Sequence, residues 1–217
     1  MNAAIPSSSV TSAPGWLHRA LRHRSFVIGA VLSLLLILAA ALSLVWTPWS
    51  PYEMDLANKL AGPSGTHWLG TDAFGRDVAS LLLVGARNSI LVGVIAVGIG
   101  LTIGTALGLL AAAKRGWVEE LIMRLADFTF AFPAILSAIM MTAVFGAGIV
   151  NSIIAIGIFN IPTFARVTRA SANAVWSREY IMASRACGKG SWRITIEHVL
   201  PNILSVLIVQ ATIQFAI

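Results

Sequence analysis

Residues 89–113 read SILVGVIAVGIGLTIGTALGLLAAA and hold no charged side chain. A helix of about 20 apolar residues crosses the hydrocarbon core of a bilayer. The run therefore predicts a membrane-spanning helix and sets the fold class as an all-α polytopic membrane bundle. Gly93, Gly98, Gly100, Gly104 and Gly108 fall within it. Glycines in a spanning helix let neighbouring backbones approach closely, so this helix is expected to pack inside the bundle.

The whole chain agrees with that reading. Of its 217 residues 57% are hydrophobic and only 11% charged, and the mean hydropathy is +0.82. This lies outside the usual balance of a soluble domain. The formal net charge of +6 does not imply a nucleic-acid partner, because the basic residues sit in short clusters between uncharged runs rather than on one face. The single Cys187 has no partner for a disulfide or for a metal-type spacing and reads as a small packing residue.

Outward from residues 89–113, the same logic gives a topology. Residues 1–24 form a flexible basic cytoplasmic tail, Ser/Ala/Thr/Pro-rich over 1–14 and closed by His18, Arg19, Arg22, His23 and Arg24. An uncharged run over 25–46 is the first transmembrane helix, longer than the ~7–15 apolar residues of a cleaved signal peptide. Trp46, Pro48, Trp49 and Pro51 mark its exit at the headgroup level. Residues 47–88 form an external loop, with a turn at Gly62-Pro63-Ser64-Gly65 and a helix start at Gly70-Thr71-Asp72. Residues 89–217 form the core domain. Within it Lys114 and Arg115 mark the inner side, 128–165 supplies spans three and four with Gly146-Ala147-Gly148 as the turn, and Arg124 and Asp127 make a local i,i+3 ion pair. Arg166, Arg169, Arg178, Arg185, Lys189 and Arg193 place the loop at about 166–200 in the cytoplasm under the positive-inside rule. A fifth span opens at Asn202 and stops at Ile217, short of the ~20 residues a crossing requires. Five spans are therefore in view, the last of them short, and the chain is expected to be C-terminally incomplete.

The inner loop at 166–200 is long for a polytopic protein and carries a helical pattern. Tyr180, Ala183, Ser184 and Cys187 share one helix face. Ala183, Ser184, Ala186 and Gly188 leave little side chain to hold a partner away. Gly188 can take the positive φ that ends a helix and turns the chain. A second short helix over Ser191–His198 follows, with Ser191 as its cap, and Pro201 suits the first turn of the next helix. This helix, turn, helix unit at the membrane face reads as a docking element.

Here the residues resemble a known family. Tyr180-Ile181-Met182-Ala183-Ser184-Arg185-Ala186-Cys187-Gly188, then nine residues, then His198-Val199-Leu200-Pro201-Asn202, is similar to the EAA loop of ABC importer permeases. It is most similar to the second permease subunit of the dipeptide, oligopeptide and nickel importers. Leu69-Gly70-Thr71-Asp72-Ala73-Phe74-Gly75-Arg76-Asp77, then Gly85-Ala86-Arg87, resembles the segment that subfamily carries before its second span. The glutamate that opens the family triplet is Met182 here, and its second alanine is Ser184. The Gly188 turn and the Leu200-Pro201 end are kept.

The resemblance implies a bacterial inner-membrane, multi-pass permease subunit with a cytoplasmic N-terminus and six spans, of which five are in view. Its partners would be a second permease subunit, two cytoplasmic ATPase subunits and an extracytoplasmic solute-binding protein. Met182, Ala183, Ser184, Gly188, His198, Leu200 and Pro201 would form the ATPase-coupling site. The solute would be a di- or oligopeptide, or else nickel or a metal chelate. No catalytic site is expected in the chain, and ATP and Mg would be bound by the ATPase partners. Gly188-Lys189-Gly190-Ser191 lacks the upstream glycine and the Lys-Ser/Thr pair of a phosphate loop. No metal site is expected either. Asp72 and Asp77 lack a calcium-loop spacing and read as helix caps or surface charge, His67 as a lone loop histidine, and His198 as a structural hydrogen-bonding group. Asn151 and Asn160 in span four either line the solute pathway or pack at a kink with Pro162. An ion-gradient-driven secondary transporter is the alternative. It would need intramembrane carboxylates or inverted repeats, and the uncharged spans carry no such coupling acid.

Overall fold

The computed structural model describes residues 21–217, so the tail expected over 1–14 and the basic residues His18 and Arg19 lie outside the described residues. The elements are α1 (Arg24–Leu42), a 3-10 turn (Leu56–Asn58), α2 (Val78–Lys114), α3 (Gly116–Ala131), α4 (Ala134–Phe145), α5 (Ile149–Trp176), α6 (Glu179–Ala186), α7 (Ser191–Ile194), a π-helical turn (Thr195–Val199) and α8 (Leu200–Ala216). No strand occurs among the described residues. Among the described residues four helical stretches are long and apolar enough to cross a membrane: Arg24–Leu42, Val78–Lys114, Ile149–Trp176 and Ser191–Ala216. The chain separates into two units at Asn88, each described by itself.

In the first unit α1 exposes nearly all of its apolar side chains, as a helix facing lipid would. The loop that follows is tightly hydrogen-bonded. Gly70-Thr71-Asp72, expected to start a helix, instead makes a turn in which the Asp72 carboxylate accepts from the Phe74 and Arg76 N–H groups and pairs with the Arg76 guanidinium at 2.6 Å. Partial burial opposes ionisation of Asp72, yet Arg76 and the two N–H groups hold it below the usual carboxylate range. This part of the turn's stability is complete above the ordinary aspartate value of about 4 and is lost as pH falls through the lowered one. Asp77 takes over the capping role, accepting from the Ser80 N–H and hydroxyl at 2.8 Å, so α2 begins at Val78 rather than Ser89. His67, read as lone, sits 3.0 Å from the Asp77 carboxylate and tilts against Trp49.

In the second unit α2 and α5 approach closely. A Cβ on Gly100 would lie 2.3 Å from Asn160 Cβ, one on Gly104 2.6 Å from the Ile161 carbonyl, and one on Gly108 2.6 Å from the Ala165 carbonyl. The Gly100, Gly104, Gly108 stripe thus lets two backbones meet, the use expected of small residues between membrane helices. Spans three and four turn at Gly146–Gly148 as expected. The run expected to supply span three, however, is broken and holds no single helix long enough to cross. Pro133 offers no N–H and drives Phe132 into extended backbone, which ends α3. At ~1.5 Å per residue, the 12 residues of α4 reach roughly 18 Å, too short to cross alone.

Arg124 does not pair with Asp127. Long helical side chains lean toward the helix N-terminus, so Arg124 reaches Glu120 at 2.7 Å, and Asp127 is left to pair with Arg166 of α5. Arg169 pairs with Glu119 in the same way. The two long-range pairs tie α3 to α5.

Candidate coupling site

The candidate docking element is α6 with the turn that follows it. Its anchor is Ile181, fully buried in the core cluster that also holds Trp176 of α5, Ile194 of α7, Val199 of the π turn and Ile203 of α8. Full burial of one such side chain is worth about 1.5–3 kcal/mol, enough to hold a two-turn helix that has little propensity of its own. Arg185 adds a cation–π contact, its guanidinium carbon 4.9 Å from the Trp176 ring.

With Ile181 turned inward, the predicted face turns outward. Tyr180, Met182, Ala183 and Cys187 are exposed and Ser184 is half-exposed, its hydroxyl donating back to the Tyr180 carbonyl at 2.9 Å. Beside this face lies a polar cleft of about 720 Å³ lined by Val175, Ser177, Arg178, Glu179, Tyr180 and Asn202. α6 is thus held by one buried side chain and carries small residues and a cleft on its free side.

Gly188 closes α6 as the sequence predicts. Its φ is +82°, the Gly188 N–H donates to the Arg185 carbonyl at 2.9 Å, and the Lys189 N–H donates to the Ser184 carbonyl at 3.2 Å. These are the paired bonds of a Schellman cap, which fix the exit angle of the chain. The expected Ser191 cap does not form. Gly190 holds the cap position without a side-chain bond, and Ser191 is the first helical residue, its carbonyl accepting from the Thr195 hydroxyl.

The second short helix is not separate but runs through the π turn into α8. Pro201 accounts for the bulge: it donates no hydrogen bond, its ring crowds the carbonyl four residues earlier, and the widened turn at Thr195–Val199 relieves that crowding. Lys189 links the two ends of the unit, donating to Glu197 at 2.7 Å and lying 3.2 Å from His198 Nε2. His198 therefore makes the structural hydrogen bond expected of it, and its ring meets Tyr180 edge-on. Leu200 is half-buried and packs against the core cluster that holds Ile181.

The structure thus gathers Met182, Ala183, Ser184, Gly188, His198, Leu200 and Pro201 into one unit at the end of α5 and α8. Ile181 was absent from the residues singled out by sequence. A lone aliphatic between polar and small residues, out of phase with the chosen face, was the available signal. Asn151 and Asn160 lie apart from this unit and from each other. Asn151 is half-exposed, and its amide donates to the Phe145 and Gly146 carbonyls, closing the 146–148 turn. Asn160 is buried beside Gly100.

Residues 104–217, which contain this unit, match the family model described as binding-protein-dependent transport system inner membrane component. The chain belongs to that family. Residues 16–63 match the N-terminal TM domain of oligopeptide transport permease C. The permease is 38% identical over 217 residues to a dipeptide transport system permease protein, DppC, of Alkalihalophilus pseudofirmus, covering 99% of this chain and 71% of the relative. It is 40% identical over 194 residues to a glutathione transport system permease protein, GsiD, of Pectobacterium atrosepticum, covering 88% and 64%. A GsiD of Escherichia coli is 42% identical over 200 residues, covering 90% and 65%. The permease thus spans about two thirds of the length of the relatives it matches. It is a multi-pass helical membrane protein of the ABC importer permease type, a family whose ATPase activity lies in a separate subunit.

A substitution at Ile181 separates anchor from surface. Ile181→Ala should cost about 2–5 kcal/mol locally, freeing α6 while leaving the α2–α5 packing intact. Limited proteolysis checks this: cleavage at Arg178 or Arg185 should accelerate at least tenfold in Ile181→Ala, while cleavage elsewhere is unchanged.

Proposed function

We propose that this chain is one of two permease subunits of an ATP-driven importer of short peptides, and that α6 with its Gly188 cap is the surface on which a cytoplasmic ATPase subunit docks. The observation that carries the reading is the division of α6 into a buried anchor, Ile181, and an exposed face of small residues. A rigid helix gripped by the core at the ends of α5 and α8 transmits a push from a partner into those two helices. ATP and Mg are bound by the partner, and closure of the ATPase pair rocks the two permeases between inward and outward access. A solute-binding protein delivers the peptide from outside. Support for a peptide solute comes from the relatives, which are dipeptide and glutathione permeases.

The domain reading follows the same frame: residues 1–24 inside, 25–46 the first crossing, 47–88 outside, and 89–217 the core with its coupling loop at about 166–200 in the cytoplasm. Cysteine labelling of intact cells in a Cys187→Ser background tests it. Ser64→Cys should react with an impermeant maleimide and Ser191→Cys should react only after the cells are opened. The reverse pattern rules out both the orientation and the docking role.

A further inference from the structure

On the face of α8 turned toward α5, Ile203 and Leu207 are buried, but the next two positions of the stripe are Gln210 and Gln214, both half-buried. The aliphatic seam becomes an amide seam with distance from the docking unit. Gln210 Nε2 donates to Gln214 Oε1 at 3.3 Å, and Gln214 Nε2 donates to Asn160 Oδ1 at 2.7 Å. Asn160 is 4% exposed and closed in by Gly100 of α2, and its Nδ2 finds no acceptor. The ladder therefore ends in a buried, unspent donor inside a membrane bundle.

Such a donor is costly in hydrocarbon, and buried polar groups in native structures have a partner in protein or water. Polar side chains inside membrane bundles bond across helices or line a water-filled route. The three amides are neutral and offer donors and acceptors together, the combination that the backbone amides of a peptide complement. We propose that Gln210 and Gln214, with Asn160 as their buried anchor, form a solute-contact strip of the translocation pathway that exchanges hydrogen bonds with the backbone amides of a passing peptide. The proposal rests on the peptide-importer reading above. A ladder of this kind gives weak, replaceable contacts along the route, which lets a solute leave each position as readily as it enters.

The experiment uses the assembled transporter with its ATPases, second permease and binding protein. Wild type is first assayed for peptide import; a complex that assembles and hydrolyses ATP but imports no peptide defeats the peptide-importer reading itself. Given import, Gln214→Met and Gln210→Met, which keep chain length and remove the amide, should lower peptide transported per ATP hydrolysed by about tenfold, the worth of one good hydrogen bond. Assembly and ATP turnover should stay at wild-type levels. In parallel, in a Cys187→Ser background, Gln210→Cys should react with a small water-soluble, lipid-insoluble thiol reagent, while Leu207→Cys on the same stripe should not. Unchanged transport per ATP in both methionine variants, or an unreactive Gln210→Cys, overturns the strip and leaves the amides as a clamp between α5 and α8.

Discussion

Gly188→Val should leave the protein inserted and folded yet abolish uptake by the assembled transporter. The residue sits at φ +82°, where a β-branched side chain is strained by on the order of 1–2 kcal/mol or more. A Cβ there would meet no neighbour within 4 Å, so the penalty is purely conformational and does not propagate into the core. The chain can escape it only by giving up the Schellman bonds from the Gly188 and Lys189 N–H groups, which changes the angle at which α6 meets α7. Co-purification with the ATPase should fall at least tenfold while yield in the membrane is unchanged. Gly188→Asn, a residue that tolerates the left-handed region, should retain most of the coupling. Ala183→Glu should mimic Gly188→Val by a separate route, placing a charge unpaired in a contact made of small residues. Full uptake in both Gly188→Val and Ala183→Glu means that α6 is not the docking element.

The contrast between what the sequence shows and what it hides follows from the range of each interaction. Uncharged runs, the Gly146–Gly148 turn and the Gly188 cap depend on residues within a few positions of one another and can be read directly. The glycine stripe on α2 is visible as spacing, although its partner residues on α5 are not. Most features that were misread or missed need a second segment. Asp127 turns to Arg166 and His67 to Asp77. Gln214 becomes notable only opposite Asn160, and Ile181 only once α7 and α8 fold back over it. The Ser191 cap, the start of α2 beside Asp77 and the Phe132–Pro133 break are local exceptions, the last a signal that the apolar run around it obscures.

A large structural effect is expected at Gly104. An added Cβ would lie 2.6 Å from the Ile161 carbonyl oxygen, 2.6 Å from Phe164 Cβ and 3.1 Å from the Ala165 nitrogen. Two of those three atoms belong to the α5 backbone, which cannot yield as a flexible side chain would. Gly104→Ala should therefore cost about 1–3 kcal/mol, and Gly104→Leu should separate α2 from α5. Pro162 raises the stake, because it leaves α5 short of one backbone hydrogen bond within the turn that meets Gly104. Gly98 is the matched control: it lies on the same helix, and a Cβ there meets nothing within 4 Å. Gly98→Ala should change stability by no more than about 1 kcal/mol, in the stabilising direction expected of alanine in a helix. Thermal aggregation in detergent provides the measurement. An apparent melting temperature that falls for Gly104→Leu and Gly104→Ala in that order, with Gly98→Ala at or above the starting protein, supports the close α2–α5 contact; equal tolerance at positions 98 and 104 rules it out.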